Sequence, residues 1–309
     1  MKLVFMGTPD FAVPTLEALV KGGHDVIAAV TQPDKPKGRG KSVLMTPVKE
    51  KALEYGIPVY QPVKARDPEF VGLLKDLAPD AIVVVAFGQL LPKSILDIPK
   101  YGCVNVHASL LPKYRGAAPI QWAVIDGEKT SGVTTMLMDE GLDTGDMLEK
   151  AEIELDEKET GGSLFEKLSR LGGELILSTL DKLENGTAIR TPQGETDTHY
   201  AKMLNKSMGE IDWTMDAKTI ERLIRGLNPW PSAYSSLKGK TVKIWDADVV
   251  LGEVTGEPGR ITATKDSLLV ETGNQFLSIK ELQLEGKKRM DTAAFLRGFS
   301  VEDGCRFGA

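Results

Sequence analysis

The sequence has little that would support an extracellular, membrane-embedded or polybasic protein. It contains only two cysteines, Cys103 and Cys305, which are too few and too far apart for a disulfide framework. Acidic residues outnumber basic ones, and the net charge of −6 excludes a chain that binds nucleic acid over its whole surface. No window approaches the roughly 18 uncharged apolar residues of a membrane span, and the N-terminal segment lacks the pattern of a signal peptide. We therefore expect a protein of the reducing cytoplasm.

Histidine is also scarce, which limits the metal sites that the chain can build. The three histidines are His24, His107 and His199, and no His/Cys cluster has the spacing of metal ligands. No metal is expected. The 309 residues are long for one hydrophobic core, so two domains are the default expectation.

The first half of the chain alternates short apolar runs with helical patterns. The predicted strands span residues 2–7, 24–32, 79–88, 102–107 and 132–138. An amphipathic helix is predicted over residues 163–186. This alternation predicts an α/β fold, in which a Rossmann-like, mostly parallel sheet is covered by helices on both faces.

The second half has a different texture. Residues 187–210 are polar and have little periodicity, as is typical of a segment between domains. A predicted helix then precedes short alternating segments with glycine-containing turns, which indicate a small β-barrel of the OB type. We predict a Rossmann-like catalytic domain over 1–189, a linker over 190–208 and an OB-like barrel domain over 209–309.

Asn105 and His107 lie at the end of the fourth predicted strand. In an open parallel sheet, ligands bind outside the carboxyl ends of the strands, and residues i and i+2 of a strand share a face. Both side chains can therefore point at one spot. Of the three histidines, only His107 lies where a cleft is expected, since His24 and His199 fall outside it. The alternative for His107 is a purely structural role.

Four acids follow the fifth predicted strand in the segment MDEGLDTGDML, residues 138–148. They are Asp139, Glu140, Asp143 and Asp146. Because the segment follows the fifth strand, we expect it at the same carboxyl edge, where one carboxylate can orient the ring of His107. The spacing does not decide which acid does so, and a solvated turn remains the alternative, because Asp and Gly are turn residues.

An amide, an imidazole and a carboxylate without a nucleophile suit direct acyl or formyl transfer to an amine. The amide and a protonated imidazole stabilise an oxyanion together, and the carboxylate helps to remove the proton of the amine. Ser109 lies on an irregular turn and no G-x-S-x-G elbow is present, so a covalent enzyme intermediate is not indicated.

The segment DKPKGRGKS, residues 34–42, carries a local excess of positive charge. It is not a Walker A motif, because Lys35 stands where the first glycine is required. Its cations are Lys35, Lys37, Arg39 and Lys41. A solvated surface loop is one interpretation. The other is a contact with the phosphates of an RNA, because the loop follows the second strand at the edge of the predicted site.

The segment NVHASLLPKYRGAAPIQWA, with GLDTGDML further along, resembles the folate-dependent formyltransferases and their hydrolase relatives. The resemblance implies that Asn105, His107 and Asp143 are the catalytic residues, and it selects Asp143 among the four acids. It also implies that 10-formyltetrahydrofolate is the formyl donor and that the SLLP segment lines its site. That segment consists of Ser109, Leu110, Leu111 and Pro112.

A second group of residues is expected to wall an apolar slot for the pterin ring of the folate. It consists of Phe87, Gly88 and Leu90, at the end of the third strand. For Leu90, packing in the core is an equally good interpretation.

Three further motifs, FMGTPDFA, TQPDKPKGRGKSVLMTPVK and NPWPSAY, resemble the branch of the family whose acceptor is initiator methionyl-tRNA. The resemblance covers essentially the whole chain, and it implies that the basic loop wedges against the acceptor stem with Arg39 at its centre. We expect a monomer that transfers the formyl group to the α-amino group of methionine on this tRNA. The alternatives are a formyltetrahydrofolate hydrolase, a small-amine formyltransferase, and an RNA-binding protein that has lost its activity.

Overall fold

The computed structural model describes residues 1–36, 43–302 and 304–308. The helices are α1 (Val13–Lys21), α2 (Pro47–Glu54), α3 (Pro68–Leu77), α4 (Lys93–Leu96), α5 (Pro119–Asp126), α6 (Gly161–Glu184), α7 (Ala217–Gly226) and α8 (Thr292–Gly298). The strands are β1 (Lys2–Gly7), β2 (Asp25–Val30), β3 (Lys35–Pro36), β4 (Val43–Leu44), β5 (Val59–Tyr60), β6 (Ala81–Val85), β7 (Cys103–His107), β8 (Thr130–Leu137), β9 (Met147–Glu154), β10 (Ala233–Leu237), β11 (Lys240–Val250), β12 (Ile261–Ala263), β13 (Leu268–Glu271), β14 (Phe276–Leu284) and β15 (Met290–Asp291).

The chain forms two compact units. The first consists of Met1–Pro119, Thr130–Glu154 and Phe165–Ala201, and the second of Ile120–Lys129, Leu155–Leu164 and Lys202–Ala309. The residues predicted as a linker, 190–208, are divided between the two units after Ala201. The domain boundaries given above stay a prediction.

The first unit contains a seven-stranded sheet with the order β5-β2-β1-β6-β7-β8-β9. The pairs from β5 to β7 are parallel, which confirms the mostly parallel, Rossmann-like sheet. Strand β8 is antiparallel to β7, and Leu137 near its end pairs with Val104 near the start of β7. The expectation that residues 138–148 begin at the carboxyl edge was therefore wrong. The chain re-enters the sheet from the edge at which β7 ended, so β8 must run in the reverse direction.

Strands β1 and β6 form the centre of this sheet, because their continuous apolar runs allow burial on both faces. On one face, Phe70 and Leu74 of α3 belong to the same core as Val84. On the other face, α6 approaches β7 closely. A Cβ atom at Gly172 of α6 would lie 2.8 Å from Cγ1 of Val106, so a glycine is needed for this contact. The helix thus supports β7 from behind the face that carries Asn105 and His107.

The second unit contains an antiparallel sheet with the order β10-β11-β14-β13-β12, and β15 pairs with β14. Buried residues alternate with less buried ones at each end of β14, as expected for a sheet with one face in the core, and the alternation is interrupted between Ile279 and Leu282, where the register with β11 shifts. Trp213 and Phe307 both belong to this core, and their rings stack at a centroid distance of 5.2 Å. The arrangement is consistent with the predicted OB-like domain. Within the described ranges, no helix is both long enough and apolar enough to cross a membrane.

Candidate active site

Strand β7 places Asn105 and His107 on one face of the sheet, two residues apart. Asn105 pairs with Val84 of β6 on one side and with Met136 of β8 on the other. His107 is the last residue of the strand and is 7% exposed. The end of the strand therefore carries a buried imidazole, and a half-buried side-chain amide lies two residues before it on the same face.

The two ring nitrogens of His107 have different partners. Nε2 lies 3.0 Å from the backbone carbonyl of Tyr114. A carbonyl oxygen only accepts, so Nε2 carries a hydrogen and donates it there. Nδ1 faces Asp143, whose Oδ1 lies 3.7 Å away. This distance permits an ion pair with a protonated ring, but it is longer than a direct hydrogen bond.

Among the four acids of the segment 138–148, Asp143 is the one that the structure brings to His107. Its other oxygen, Oδ2, accepts a hydrogen bond of 2.9 Å from the backbone amide of Gly116. Asp139 instead accepts hydrogen bonds from within its own turn, and Glu140 is exposed.

Asp143 adopts a left-handed backbone conformation, with φ of 56°. Such a conformation is uncommon for residues other than glycine, although Asp tolerates it better than most. The local turn is thus shaped so that a loop that follows an antiparallel strand folds back toward the end of β7.

The side-chain amide of Asn105 makes no hydrogen bond to any residue in the described part of the chain. It is half-buried, and its strand neighbours at this level are the apolar residues Val84 and Met136. An unpaired donor beside an imidazole is what a site for a carbonyl oxygen requires.

The SLLP segment follows β7 directly. Ser109 is 1% exposed and donates a hydrogen bond of 2.6 Å to the carbonyl of Lys113, so its hydroxyl is engaged in the turn. Leu111 is fully buried in a small core with Met136 and Met147. Leu110 and Pro112 are half-buried and present part of their surface.

The residues predicted to wall the pterin slot are divided by their environment. The side chain of Phe87 is 2% exposed and belongs to the core beneath the sheet. Its carbonyl accepts hydrogen bonds from Thr8 and Gln32. Gly88 has φ of 85°, and Leu90 is 67% exposed. Of these three residues, only Gly88 and Leu90 are exposed and can contact a ligand directly.

Among the four predicted cations, the structure describes Lys35, which is exposed and pairs with Leu44 of β4. The other predicted contacts, Lys37, Arg39 and Lys41, lie outside the described residues.

The first residue of the basic segment 34–42, Asp34, is held in place by a polar network. Asp34 accepts hydrogen bonds from Lys49 at 2.5 Å and from Gln61 at 2.7 Å. These two bonds hold the pKa of the Asp34 carboxyl below its usual value. The side chain of Thr46 caps α2 by accepting from the backbone amide of Lys49, so the network includes the start of that helix.

Sequence reasoning did not identify Tyr114, Gly116 or Gln193, which bind His107 or the loop of Asp143. The first two act through backbone atoms, which every residue carries, and the third lies in the predicted linker. Among the residues that the structure describes, no group of His, Cys, Asp and Glu is arranged to hold a metal ion.

Comparison with known proteins finds a family match for each half of the chain. The formyl transferase family model matches residues 1–180, and the model of the formyl transferase C-terminal domain matches residues 203–300. The methionyl-tRNA formyltransferase of Agathobacter rectalis is 58% identical over 308 residues, which is 99% of this chain and 99% of that protein.

Two solved structures share the fold. An N-formyltransferase from Helicobacter canadensis in complex with folinic acid and dTDP-3-aminofucose has a TM-score of 0.67 at 17% identity, over 94% of this chain and 100% of that one. HypX from Aquifex aeolicus in complex with tetrahydrofolic acid has a TM-score of 0.62 at 19% identity, over 98% of this chain and 48% of that one. The chain thus spans about half the length of HypX. Because the two family models and the Agathobacter rectalis protein match essentially the whole length, the chain belongs to the formyl transferase family.

Proposed function

We propose that this protein transfers the formyl group of 10-formyltetrahydrofolate to the α-amino group of methionine on initiator methionyl-tRNA, for the initiation of translation. The observation that carries the proposal is the site on β7, where Asn105 and His107 share a face and Asp143 approaches Nδ1 of His107. The relative from Agathobacter rectalis, which is similar over its full length, is named for this reaction.

Asn105 and His107 are assigned to the formyl oxygen. When the amine attacks, negative charge develops on this oxygen, and the Asn105 amide and the Nδ1–H of a protonated His107 stabilise it. Nε2 of His107 is already bound to the carbonyl of Tyr114, so Nδ1 is the nitrogen available to the reaction. The same bond fixes the plane of the ring.

The two carboxylate oxygens of Asp143 are assigned different roles: one anchors the side chain and the other takes part in the reaction. Oδ2 is held by the amide of Gly116, and this bond fixes the carboxylate. Oδ1, 3.7 Å from Nδ1 of His107, stays free of a direct hydrogen bond to the ring and can accept the proton of the attacking amine. His107, or a water that it holds, then protonates N10 as the leaving group.

The folate is assigned to the residues that follow β6 and β7. It supplies an activated formyl group on N10 when it is bound. These strands are neighbours, so the segments after them lie side by side beyond the same sheet edge. Half-buried Leu110 and Pro112 and exposed Leu90 offer apolar surface there, which suits a flat heterocyclic ring. Ser109, Leu111 and Phe87 support these segments from the core.

The tRNA is assigned to the basic loop and to the OB-like domain. The tRNA phosphates are assigned positive charge from Lys35, Lys37, Arg39 and Lys41, and Lys35, which is exposed, follows β2 in the chain. In the second unit, Lys243 and Arg289 lie 5.5 and 5.1 Å from the ring of Trp245. A cationic and aromatic sheet face of this kind suits a nucleic-acid backbone and its bases.

The protein is organised as two domains joined by a linker. The Rossmann-like catalytic domain spans 1–189, the linker 190–208 and the tRNA-binding domain 209–309. The protein acts as a monomer in the cytoplasm, where its tRNA and folate substrates are found.

The test is a competition for the labelled formyl group. The protein is mixed with labelled 10-formyltetrahydrofolate, charged initiator methionyl-tRNA, buffer and a small amine. We expect label on the tRNA, its loss in His107→Ala, and its retention in the control His24→Ala. Folate consumed without labelled tRNA would reject the proposal in favour of a hydrolase or a small-amine formyltransferase.

A further inference from the structure

Gln193 joins the two loops that surround His107. Its side-chain amide nitrogen donates hydrogen bonds of 2.8 Å to the carbonyls of Asp143 and Gly145. Its amide oxygen accepts a hydrogen bond of 2.8 Å from Nε of Arg115. One half-buried side chain thus contacts both the loop that carries Asp143 and the loop that follows the SLLP segment.

The loop that follows the SLLP segment supplies direct partners for two residues of the assigned trio. The carbonyl of Tyr114 accepts from Nε2 of His107, and the amide of Gly116 donates to Oδ2 of Asp143. Arg115 lies between these two backbone groups. A residue that holds Arg115 and Asp143 together therefore acts on the partners of His107 and of Asp143 at once.

The segment around Gln193 is fastened to the second loop at further points, and we name residues 191–201 the strap. The amide of Tyr114 donates to Oγ1 of Thr198 at 2.9 Å. Ala201 donates from its amide to the carbonyl of Arg115 at 2.7 Å. A Cβ atom at Gly116 would lie 2.6 Å from the carbonyl of Ala201, so the strap and this loop are in close backbone contact.

We propose that Gln193 is a positioning residue, which sets the distance between Asp143 and His107 by tying the loop of Asp143 to the loop of Tyr114 and Gly116. Two neutral amide hydrogens directed at two carbonyls, with a guanidinium on the amide oxygen, fix both the position and the orientation of the link. The inference rests on the proposed function, because its effect is read in the formyl transfer reaction.

The test compares two substitutions of nearly the same size as Gln193. Gln193→Glu keeps an acceptor for Arg115 but replaces the donor with an oxygen that faces two carbonyls. Gln193→Met keeps the length of the side chain and removes both functions. We expect kcat for methionyl-tRNA to fall about 10- to 100-fold in both, because small misplacements of reacting groups have effects of that size. The KM values for tRNA and folate should stay within about twofold of the parent.

The matched control is Glu195→Gln, an exposed position of the same strap. It should leave kcat and KM unchanged. Melting temperatures of all variants are measured, and a Gln193 variant that is folded at the assay temperature is required for the comparison. Rescue is tested with Gln193→Asn, which keeps both chemical functions and should retain more activity than Gln193→Glu.

A double-mutant cycle with Asp143→Asn separates a positioning role from a general loss of structure. If Gln193 acts through Asp143, then Gln193→Met costs little additional activity once Asp143 is changed. Equal fold losses in both backgrounds, or a Gln193→Met enzyme within twofold of the parent, would overturn the inference. An inactive parent would instead reject the proposed function, so the two failures are distinct.

Discussion

Asp143 approaches His107 with one carboxylate oxygen, Oδ1, at 3.7 Å from Nδ1. Strand direction does not explain this contact, because β8 runs antiparallel to β7 and the two strands end at opposite edges of the sheet. The two residues meet because the loop after β8 folds back, with a left-handed turn at Asp143 and a hydrogen bond to the amide of Gly116. The pair is therefore a product of loop contacts, and substitutions in those loops are expected to affect it.

The carboxylate of Asp143 should matter far more than those of its acidic neighbours. Asp143→Asn keeps the shape of the side chain and removes the proposed proton acceptor, so kcat should fall about 100-fold or more. Steady-state kinetics with methionyl-tRNA measure the change. The control Glu140→Gln, three residues earlier and exposed, should be within twofold of the parent. Equal losses in the two variants would contradict the assignment.

The Asn105 amide should be needed for the reaction and dispensable for folding. Asn105→Ala removes a donor that we propose for the formyl oxygen, and loss of such a donor typically lowers kcat ~100- to 1000-fold. The control is Asn185→Ala, an exposed amide after α6. A loss below tenfold at Asn105 in single-turnover formyl transfer would count against the role.

The basic loop should affect the use of tRNA more than the use of folate. Arg39→Ala is expected to raise the KM for methionyl-tRNA and to reduce the salt dependence of binding by about one charge, with the KM for folate unchanged. Lys64→Ala, an exposed cation outside the loop, is the control. Kinetics for charged tRNA that do not change in Arg39→Ala would reject the contact.

Glu149 links β9 to α6, and its contribution to stability should depend on pH. Burial raises its pKa, but hydrogen bonds from Lys182, Thr179 and Ser178 outweigh burial and leave the pKa below the ordinary 4.5. A carboxyl with a lowered pKa stabilises the fold above its unfolded pKa, and this stabilisation is lost as the pH falls through the folded pKa.

Glu149→Gln should therefore lower the free energy of unfolding by about 1–2 kcal/mol at pH 7. The difference from the parent should shrink as the pH falls below about 4.5. Urea denaturation across this range measures both. Glu152→Gln, an exposed position of the same strand, should show no such dependence. A difference that grows toward low pH would have the wrong sign.

The two cysteines should differ sharply in reactivity. Burial raises the pKa of the Cys103 thiol to about 12, and Cys103 is 2% exposed. Its thiolate is scarce at pH 8, so the native protein should be alkylated at the half-buried Cys305 and not at Cys103. Mass spectrometry after iodoacetamide treatment detects the sites. Native Cys305→Ser should take no label until it is denatured, and rapid labelling of Cys103 would contradict the expectation.

The elements predicted well are those whose pattern depends on local chemistry. The buried runs of β1, β2, β6 and β7 are continuous and apolar, and the long helix α6 has a clear amphipathic period, so both were recognisable. The strand β9 was missed, because its sequence MLEKAEIE alternates with charged residues and most of it is half-buried or exposed. The helices α2 and α3 are short and were also not predicted.

The candidate site shows the same division. Asn105 and His107 are two residues apart on one strand, so strand geometry alone places them on a common face. The sequence by itself also determined the two-part organisation and the family resemblance, because both are carried by contiguous segments. The resemblance selected Asp143, but strand geometry predicts neither its contact with His107 nor the link through Gln193, because these residues reach the site from loops. Gln193 lies fifty residues from Asp143 in sequence, and the bond between them is made by a backbone carbonyl that carries no sequence signal. Only the tertiary structure decided these contacts, since the direction of β8 and the path of the strap follow from packing of the whole unit.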